Sequence, residues 1–384
     1  MKYLQGHPIE VRKIAIGVIT RKMSIHAFWK GRILVTQHPR TLHGLLGYSA
    51  VLTSADRVQV SSVARSLPVV ASISEQSLSQ LNDGDVVQVE TDGRMSRLWD
   101  ISSDDNVVFM TNRCNCNCIM CPQPPGPDLD GSYLKRNMKL LRIVDRRKVS
   151  TIAFTGGEPT VVLEDLLVLL KFCVKRFPKA RLVMLTNGRR LRDFEVAARI
   201  VRESRGRLTY CIPLYSDVDC LHDDVVGAHG GFSDAVRAIH NLARLRQRVE
   251  LRAVVMRTNY TRLSSLSEFI YRNFPFVSHV AFMGLETRGV AAENIEDVWI
   301  DPVDYGANLQ SAVEHLHHRD INVSIYNLPL CLLRKAVWGF ARDSISTWKK
   351  CFLPCCEHCE VRARCAGVFS TSEKHSSRIT PIRQ

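Results

Sequence analysis

The chain has 384 residues, 45% of them hydrophobic, and its 52 Lys and Arg outnumber 38 Asp and Glu to give a formal net charge of +14. This composition excludes a mainly disordered chain and is sufficient for one large α/β domain with small appendages. Charged residues interrupt the first twenty positions and no apolar run is long enough to span a membrane. We therefore expect a soluble, cytoplasmic protein without an export signal.

The basic residues are spread along the chain. Short groups such as Arg146-Arg147-Lys148 and Arg189-Arg190 fall at predicted helix ends or turns, where solvated charge is the default. A nucleic-acid surface needs clustered basic side chains, and the sequence shows no basic stripe with interleaved aromatic residues. The positive net charge is compatible with a small anionic partner as well as with RNA. Because the basic residues are scattered along the sequence, they do not favour a nucleic-acid partner.

Residues 1–105 are predicted to form a small β-rich domain. The run Asp83–Glu90, the turn Thr91-Asp92-Gly93 and the run Arg94–Trp99 have the pattern of two strands joined by a turn. Such a domain could dock a peptide by adding it to an edge strand. Plain packing is the equally weighted alternative.

Three cysteines follow a short apolar run that ends at Met110. Cys114, Cys118 and Cys121 form a CxxxCxxC triplet, on a loop that we predict to leave a strand. Three thiolates leave one corner of a four-iron cube without a protein ligand. A structural zinc site usually pairs cysteines as CxxC with a second pair elsewhere, so it fits less well. Cys116 has the wrong spacing and is interpreted as a spectator.

A second motif follows the run Thr151–Phe154. Its residues are Gly156, Gly157, Glu158 and Pro159. Two consecutive glycines let the backbone turn tightly and approach a ligand without a Cβ atom in the way. Proline suits the first turn of the helix that is predicted to follow.

Between residues 106 and 326, β-type runs alternate with runs of helical period. Helices are predicted over Val161–Phe177 and Phe232–Arg246. This alternation predicts an α/β fold with a parallel sheet, either open or a partial barrel. Besides the run before Met110, the predicted strands are Thr151–Phe154, Arg181–Leu185, Leu208–Tyr215, Glu250–Met256 and His279–Gly284.

Polar residues close several of these strands. Asn187 follows the third strand, Ser216 follows the fourth, and Arg252 lies on the fifth. At the carboxyl ends of parallel strands they are candidates for ligand binding. An ordinary turn, a helix cap and a snorkelling surface arginine are the respective alternatives. Four residues near strand ends are acid or base candidates without an assigned role: Tyr215, His222, His229 and Glu286.

Residues 327–370 are rich in cysteine, and the tail 371–384 is expected to be disordered. Cys356, Cys359 and Cys365 have CxxCx5C spacing, and Cys331 precedes them. Four such thiolates predict a zinc ribbon or a fully ligated iron–sulfur cluster. Cys351 or Cys355 could substitute for one ligand. Clustered cysteines in a chain without an export signal favour metal ligation over disulfides.

The triplet followed by Gly-Gly-Glu-Pro resembles the radical S-adenosylmethionine (SAM) superfamily. The resemblance implies a six-unit partial TIM barrel and a 4Fe-4S cluster on Cys114, Cys118 and Cys121. It also implies that SAM is cleaved reductively to a 5′-deoxyadenosyl radical, which abstracts hydrogen from a substrate. The backbone around residues 156–159 would bind the amino group of SAM. Asn187 and Ser216 would contact its methionyl or ribose part, and Arg252 its carboxylate.

The C-terminal cysteines resemble the SPASM and shortened "twitch" extensions of peptide-modifying radical SAM enzymes. This resemblance implies an auxiliary 4Fe-4S cluster on Cys331, Cys356, Cys359 and Cys365, and it favours iron over zinc. A complete SPASM pattern has a further cysteine near the position of Phe369. None occurs there, so we expect one auxiliary cluster.

Three stretches resemble the His-Xaa-Ser system radical SAM maturases of the HxsC type. They are Cys121–Pro125, Ile212–Asp217 and Trp338–Lys349, within a resemblance that spans residues 106–369. It implies a substrate peptide with His-Xaa-Ser repeats, a second radical SAM maturase and an electron donor such as flavodoxin or ferredoxin. Two other functions stay open, a tRNA-modifying radical SAM enzyme and a non-catalytic iron–sulfur adaptor of a partner maturase. The modification itself does not follow from the sequence.

Overall fold

The computed structural model of the chain describes residues 3–22, 31–37, 47–61, 68–128, 133–343 and 349–383. The chain divides into two compact units, the first comprising Met1–Phe109, Tyr133–Ile152 and Lys175–Ala180, and the second Met110–Ser132, Ala153–Val174 and Arg181–Gln384. Residues 1–105, predicted to form a small N-terminal domain, all fall within the first unit. Segments beyond residue 105 group with the N-terminal unit, and residues 327–370 group with the second unit.

The first unit contains a mixed β-sheet. Its eight described strands run in the order β1-β8-β7-β3-β4-β5-β6-β2. Strands β7 and β8 pair antiparallel, as the predicted strand-turn-strand pattern requires. The strands are β1 Tyr3–Gln5, β2 His7–Ile9, β3 Ala15–Thr20, β4 Arg32–Val35, β5 Ala50–Leu52, β6 Val69–Ala71, β7 Val86–Val89 and β8 Arg94–Trp99.

One face of this sheet packs into an apolar core. Ile19, Ile33, Leu52 and Val87 come from four of its strands and are almost completely buried. Since alternate side chains of a strand point to opposite faces, each strand contributes its apolar residues to one side. The unit also holds α1 Arg57–Ser61, α2 Glu75–Ser79, β9 Asp105–Phe109 and α3 Leu134–Ile143.

Six strands of a second sheet lie side by side in the order β15-β14-β13-β12-β11-β10. Strands β11 to β15 pair in parallel. The prediction of an α/β fold with a parallel sheet is confirmed, and β15 is a strand that the sequence pattern did not reveal. The strands are β10 Thr151–Thr155, β11 Arg181–Leu185, β12 Leu208–Pro213, β13 Arg248–Val254, β14 His279–Met283 and β15 Val323–Tyr326.

Helices connect these parallel strands, as right-handed crossovers require. In α4, Leu166, Leu170 and Val174 are buried, at the helical spacing that the sequence shows. The helices are α4 Leu163–Arg176, α5 Phe194–Ser204, α6 Asp219–Val226, α7 Gly231–Arg244, α8 Leu263–Asn273, α9 Val290–Glu293, α10 Ile295–Val298 and α11 Gly306–His317. None of the helices that the structure describes has both the length and the apolar character needed to cross a membrane.

The two faces of the parallel sheet differ. In β13, Val249, Leu251 and Ala253 are buried, whereas Glu250 and Arg252 on the opposite face are partly accessible. The buried face packs against helices and the other face is available for polar groups.

The C-terminal part of the second unit is short of regular structure. Strands β16 Lys350–Cys351 and β17 Val368–Phe369 pair antiparallel. Two 3₁₀ turns, Pro354–Cys356 and Arg362–Arg364, lie between them. Gly367, with a φ of +62°, lies so close to the Cys351 carbonyl that a Cβ atom there would overlap it.

Candidate functional site

The ends of the parallel strands surround one segment, residues 111–122, which carries the cysteine triplet and is called the cysteine loop here. At its start, the Met110 N–H donates to the Thr155 carbonyl at the end of β10 (2.7 Å). The Asp128 carboxylate then accepts hydrogen bonds from the Thr111 hydroxyl and the Asn112 N–H, both at 2.7 Å. The loop therefore begins in a fixed position at the carboxyl end of the sheet.

The glycine pair lies directly against the cysteine loop. The Gly157 N–H donates to the Thr111 carbonyl (2.7 Å), and the Glu158 N–H donates to the Arg113 carbonyl (2.9 Å). A Cβ atom at Gly157 would overlap the Arg113 carbonyl oxygen. The glycines are thus needed for close approach, as predicted, but the group that approaches Gly157 is the chain itself.

The Glu158 carboxylate is buried at 1% exposure and accepts four hydrogen bonds. Oε1 accepts from the Thr160 N–H, the Thr160 hydroxyl and the Thr186 hydroxyl, and Oε2 accepts from the Asn187 N–H. Burial raises the pKa of Glu158, and these hydrogen bonds oppose the rise. Both oxygens are engaged within the protein, so the side chain ties the end of β10 to the end of β11. Pro159 begins the buried 3₁₀ turn that follows.

Asn187 and Arg189 hold the first part of the cysteine loop from the end of β11. The Asn187 side-chain amide donates to the Asn115 side chain (2.7 Å) and lies 3.3 Å from the Cys116 sulfur. Arg189 donates to the Asn115 carbonyl (2.8 Å) and pairs with Asp234 of α7 (3.0 Å). The interpretation of Arg189 as ordinary solvated charge was wrong, because a partner 45 residues away orients it.

The carboxyl end of α6 holds the middle of the cysteine loop. The N–H groups of Asn117 and Ile119 donate to the carbonyls of Val226 and Val225, each at 3.0 Å. The last carbonyls of a helix have no partner within the helix, so the loop satisfies them. Gly227 ends α6 with a φ of +58°, and a Cβ atom there would overlap the Asn117 carbonyl. This glycine was not identified from the sequence.

The loop after β14 holds the end of the cysteine loop. The Val290 N–H donates to the Cys121 carbonyl (3.0 Å), and the Asn294 side chain donates to the Ile119 carbonyl (3.0 Å). Gly289 lies so close that a Cβ atom would come within 3.0 Å of the Cys121 carbonyl. Segments after three strands (β10, β11 and β14) and the carboxyl end of α6 therefore hold the loop that carries the triplet.

The thiols of the cysteine loop influence one another's ionisation. A hydrogen bond with Cys116 lowers the pKa of Cys114 to about 7. Burial, and then the charges of Cys121 and Cys114, raise the pKa of Cys118 to about 12. Cys116, the expected spectator, is buried and lies against Cys114. Gathering three thiolates here is unfavourable without a cationic partner.

The donor chemistry of the loop fits an iron–sulfur cluster. Within the described ranges, no three His, Cys, Asp or Glu side chains are already arranged as a metal site. Cysteine thiolates are nevertheless the ligands of such clusters, and a ligating thiol is deprotonated by the metal. Cys114, Cys118 and Cys121 would hold three irons and leave the fourth to a cosubstrate.

Two other predicted SAM contacts have partners inside the protein. The Ser216 hydroxyl is buried and accepts a hydrogen bond from the Val218 N–H (3.0 Å), as in an ordinary turn before α6. Arg252 pairs through Nε with Glu250 (2.6 Å), and Glu250 also meets His279 (3.2 Å). Burial opposes ionisation of Glu250, but His279 and Arg252 lower its pKa to about 2. Arg252 therefore lies on the open face of the sheet in an ion pair.

The four acid or base candidates lie in different surroundings. His222 is 2% exposed, its Nδ1 accepts from the Tyr215 N–H (3.2 Å), and burial lowers its pKa to about 4. Burial, and then the charges of nearby thiols, raise the pKa of Tyr215 well above its usual value. Glu286 pairs with Lys349 (2.6 Å), and His229 is exposed. His222 is thus a neutral structural residue, and the geometry assigns no catalytic proton transfer to the others.

The C-terminal cysteines line one cavity of about 360 Å³, including the part open to solvent. The structure thus brings together Cys331, Cys356, Cys359 and Cys365, the four predicted auxiliary ligands, and Cys351 lies beside them. The Cys355 thiol is exposed and donates to the Ile379 carbonyl (3.7 Å), and Cys355 does not line the cavity. This set, called the C-terminal cysteine pocket here, has four thiolate donors that fit a metal ion or a fully ligated cluster.

Backbone amides distinguish the four predicted ligands from Cys351. The Leu330 and Gly367 N–H groups point at the Cys365 sulfur (3.4 and 3.5 Å). The Ile382 N–H points at the Cys359 sulfur (3.4 Å). Burial raises the pKa of Cys331 and Cys356, and the backbones of Thr380 and Leu353 oppose that rise, whereas burial alone raises the pKa of Cys351. Hydrogen bonds to sulfur are a regular feature of metal-bound thiolates.

Residues 371–383, expected from the sequence as a disordered tail, contact residues distant in sequence. The Glu373 N–H donates to the Thr287 carbonyl (2.9 Å), and the Ser376 hydroxyl donates to Asp301 (2.7 Å). Arg378 pairs with Asp304 (2.5 Å). Partners distant in sequence therefore order this segment, and Gln384 lies outside the described residues.

Residues 108–269 match the sequence model of the Radical SAM superfamily. The predicted resemblance to this superfamily is therefore confirmed for this range of the chain. The range contains the cysteine triplet, the Gly-Gly-Glu-Pro motif, Asn187, Ser216 and Arg252.

Among curated proteins, GTP 3′,8-cyclase of Mycobacterium sp. (strain KMS) is 36% identical over 107 residues, which cover 26% of this chain and 28% of the relative. The chain thus matches little more than a quarter of the length of such relatives. Among solved structures, Streptococcus suis SuiB bound to S-adenosylmethionine has a TM-score of 0.49 at 17% identity, covering 58% of this chain and 50% of that one. Native anSMEcpe with bound AdoMet and the Kp18Cys peptide has a TM-score of 0.43 at 17% identity, covering 57% and 63%.

Proposed function

We propose that this protein is a radical SAM enzyme that modifies a peptide or protein, as a maturase of the His-Xaa-Ser type. The observation that supports the radical chemistry is the cysteine loop. Its three predicted ligands lie on one segment at the carboxyl ends of parallel strands, within the range that matches the superfamily. Enzymes with parallel strands place their chemistry at this edge.

In this proposal Cys114, Cys118 and Cys121 would hold a 4Fe-4S cluster, which would supply the electron for reductive cleavage of SAM to methionine and a 5′-deoxyadenosyl radical. The protein's own residues position and enclose the reactants. Gly157 and Glu158 brace the start of the cysteine loop through Thr111 and Arg113. Asn187 and Arg189 fix its first part through Asn115. A flavodoxin or ferredoxin is the proposed electron donor.

The C-terminal cysteine pocket supports a peptide substrate. Four thiols converge there, with the spacing that resembles SPASM and twitch extensions of peptide-modifying enzymes. The proposed auxiliary 4Fe-4S cluster would have all four corners ligated, so it would bind no SAM. Part of the HxsC-like stretch Trp338–Lys349 supports the narrower assignment, but its residues 344–348 lie outside the described residues.

The test of this function has two readouts. The reduced, reconstituted protein is incubated anaerobically with SAM, and 5′-deoxyadenosine is quantified. In parallel, the protein is co-expressed with a His-Xaa-Ser repeat peptide encoded next to it, and the peptide is analysed by mass spectrometry. We expect 5′-deoxyadenosine and a defined mass change on the peptide. An unmodified peptide, despite SAM cleavage, would contradict the peptide substrate.

A nucleotide substrate is the second candidate, because the curated relatives that match over 107 residues are GTP 3′,8-cyclases. The same reaction is therefore run with GTP in place of the peptide. Stimulation of 5′-deoxyadenosine formation by GTP and not by peptide would favour a nucleotide substrate. A requirement for RNA would instead favour a tRNA-modifying enzyme, and no cleavage under any condition would favour a non-catalytic adaptor.

A further inference from the structure

The C-terminal segment follows a defined path over the second unit. Residues 371–378 are held by the loops after β14. The Lys374 N–H and carbonyl both bond to the Thr287 hydroxyl (2.9 and 3.0 Å), and Arg378 pairs with Asp304 (2.5 Å). The segment that follows Arg378 therefore starts from a fixed position.

Residues that follow Arg378 form part of the wall of the C-terminal cysteine pocket. Ile379, Thr380 and Ile382 line its cavity together with the cysteines. Ile379 is buried there. An apolar residue so placed covers surface that would otherwise face solvent.

This end segment also contacts the sulfur ligands through its backbone. The Ile382 N–H points at the Cys359 sulfur (3.4 Å), and the Ile382 carbonyl accepts from the Glu360 N–H (3.1 Å). The second bond fixes Ile382 beside the residue that follows Cys359. The Cys355 thiol donates to the Ile379 carbonyl (3.7 Å), on the outer side of the same turn.

We propose that residues 379–383 are an integral part of the C-terminal metal centre. They close the cysteine pocket and position the Cys359 thiolate through the Ile382 amide. The inference rests on the auxiliary centre of the proposed function. It goes further in assigning a structural task to a segment that has no metal ligand of its own. Because cluster stability and potential depend on solvent exclusion and on hydrogen bonds to sulfur, loss of the segment should release the metal.

The test uses the Cys114, Cys118 and Cys121 to Ala variant, in which only the C-terminal pocket can bind a cluster. In this background, a chain that ends at Arg378 keeps the anchoring contacts of residues 371–378. It loses Ile379, Thr380 and Ile382 from the lining of the pocket and keeps the cysteines. Ile382→Pro removes only one amide donor, since proline has no N–H. Ile382→Ala is its matched control, because it trims the side chain and keeps the amide.

Iron and zinc per chain are measured after anaerobic reconstitution, and metal release is followed during incubation with a chelator. The parent background should hold about four irons. The shortened chain should lose most of them, and Ile382→Pro should release metal faster than Ile382→Ala. In the metal-free proteins, alkylation of Cys359 should be faster in the shortened chain, since its thiol is then less protected. Full metal content with unchanged release in the shortened chain would overturn the proposal.

The experiments distinguish a failure of this inference from a failure of the proposed function. If the full chain cleaves SAM but its C-terminal pocket binds no metal, the radical chemistry stands and the role of the segment is refuted. If the full chain never cleaves SAM but the shortened chain loses the C-terminal metal, the segment's role stands and the catalytic proposal is refuted.

Discussion

The cysteine loop and the C-terminal cysteine pocket are held in different ways. In the cysteine loop, the supporting hydrogen bonds involve the backbone of the loop. Gly157, Arg189 and Val290 donate to its carbonyls, and its own N–H groups donate to the carbonyls at the end of α6. In the C-terminal pocket, backbone amides from several segments point at the sulfurs themselves. The first arrangement positions three thiols and leaves room for a further ligand. The second surrounds four thiols and suits a closed site.

The two sites also depend on different parts of the chain. The predicted ligands of the cysteine loop lie within eight consecutive positions, 114 to 121, and their supports are strand ends and the end of α6. The C-terminal pocket joins Cys331, residues 351–367 and residues 379–382. Local changes at the strand ends should therefore affect only the first site, and changes far along the chain should affect the second.

The largest expected effect concerns Gly157. Gly157→Val should displace Arg113, because the new side chain would overlap its carbonyl, and the cysteine loop should then fail to hold its cluster. Iron analysis should show loss of about half of about eight irons per chain. Gly126→Val is the matched control, since no atom lies within 4 Å of a Cβ there.

The sequence alone suggests another outcome for the same variant. If Gly157 served only to admit a ligand, Gly157→Val would weaken SAM binding and leave the iron in place. Full iron content with reduced SAM affinity by calorimetry would therefore contradict the structural explanation. The variant thus separates support of the cysteine loop from direct contact with the cosubstrate.

The next effect concerns the buried carboxylate of Glu158. Glu158→Ala leaves four buried donors without their acceptor, which should lower the free energy of unfolding by about 4 kcal/mol. Urea denaturation measures this change. Glu164→Ala is the control, since that side chain is 73% exposed and its change should stay within about 0.5 kcal/mol. Equal effects of the two substitutions would show that Glu158 does not tie β10 to β11.

His222 predicts a pH dependence of stability. Burial lowers its pKa to about 4, with the Asp223 charge opposing the shift, against about 6.5 in the unfolded chain. Between these values the unfolded chain binds more protons. The contribution of neutral His222 to the free energy of unfolding is therefore complete above about pH 6.5 and is lost as the pH falls toward 4. This shift corresponds to about 3 kcal/mol.

Urea denaturation across this pH range provides the measurement. The wild-type protein should lose more stability on acidification than His222→Gln, whose side chain does not titrate. His229→Gln, at an exposed position, should behave like the wild type. Identical pH profiles for the wild type and His222→Gln would show that protonation of His222 does not oppose folding.

The smallest expected effect concerns Cys351. Because only burial acts on its thiol and no described amide points at its sulfur, Cys351→Ser should leave the C-terminal metal content unchanged. Cys331→Ser, at a predicted ligand in the same cavity, should lower it. Metal loss from Cys351→Ser and not from Cys331→Ser would show that Cys351, and not Cys331, is the ligand.

Much of the fold could be predicted because its signals are local. The strand Arg181–Leu185 and the buried side of α4 follow from runs of apolar residues with period 2 or 3.6. The cysteine triplet is equally local, since its spacing lies within one loop. The β15 strand of four residues, Val323–Tyr326, was too short to stand out from its surroundings.

The remaining features depend on contacts between distant residues. Arg189 looks like solvated charge until Asp234 of α7 is placed beside it. The tail 371–383 is rich in polar residues, and single hydrogen bonds to residues such as Thr287 and Glu360 order it. No periodic pattern encodes such contacts, so they require the folded chain. The contact between Gly157 and the Arg113 carbonyl could not be foreseen either, because the two residues are distant in sequence.

The measurement that tests the central claim most directly is the formation of 5′-deoxyadenosine by the reduced protein with SAM. The wild-type protein should form it, and so should Cys220→Ala, which changes an exposed cysteine outside both sites. Replacing Cys114, Cys118 and Cys121 together by Ala should abolish it and leave the C-terminal metal in place. Continued 5′-deoxyadenosine formation by this triple variant would contradict the assignment of the cysteine loop as the SAM-cleaving site.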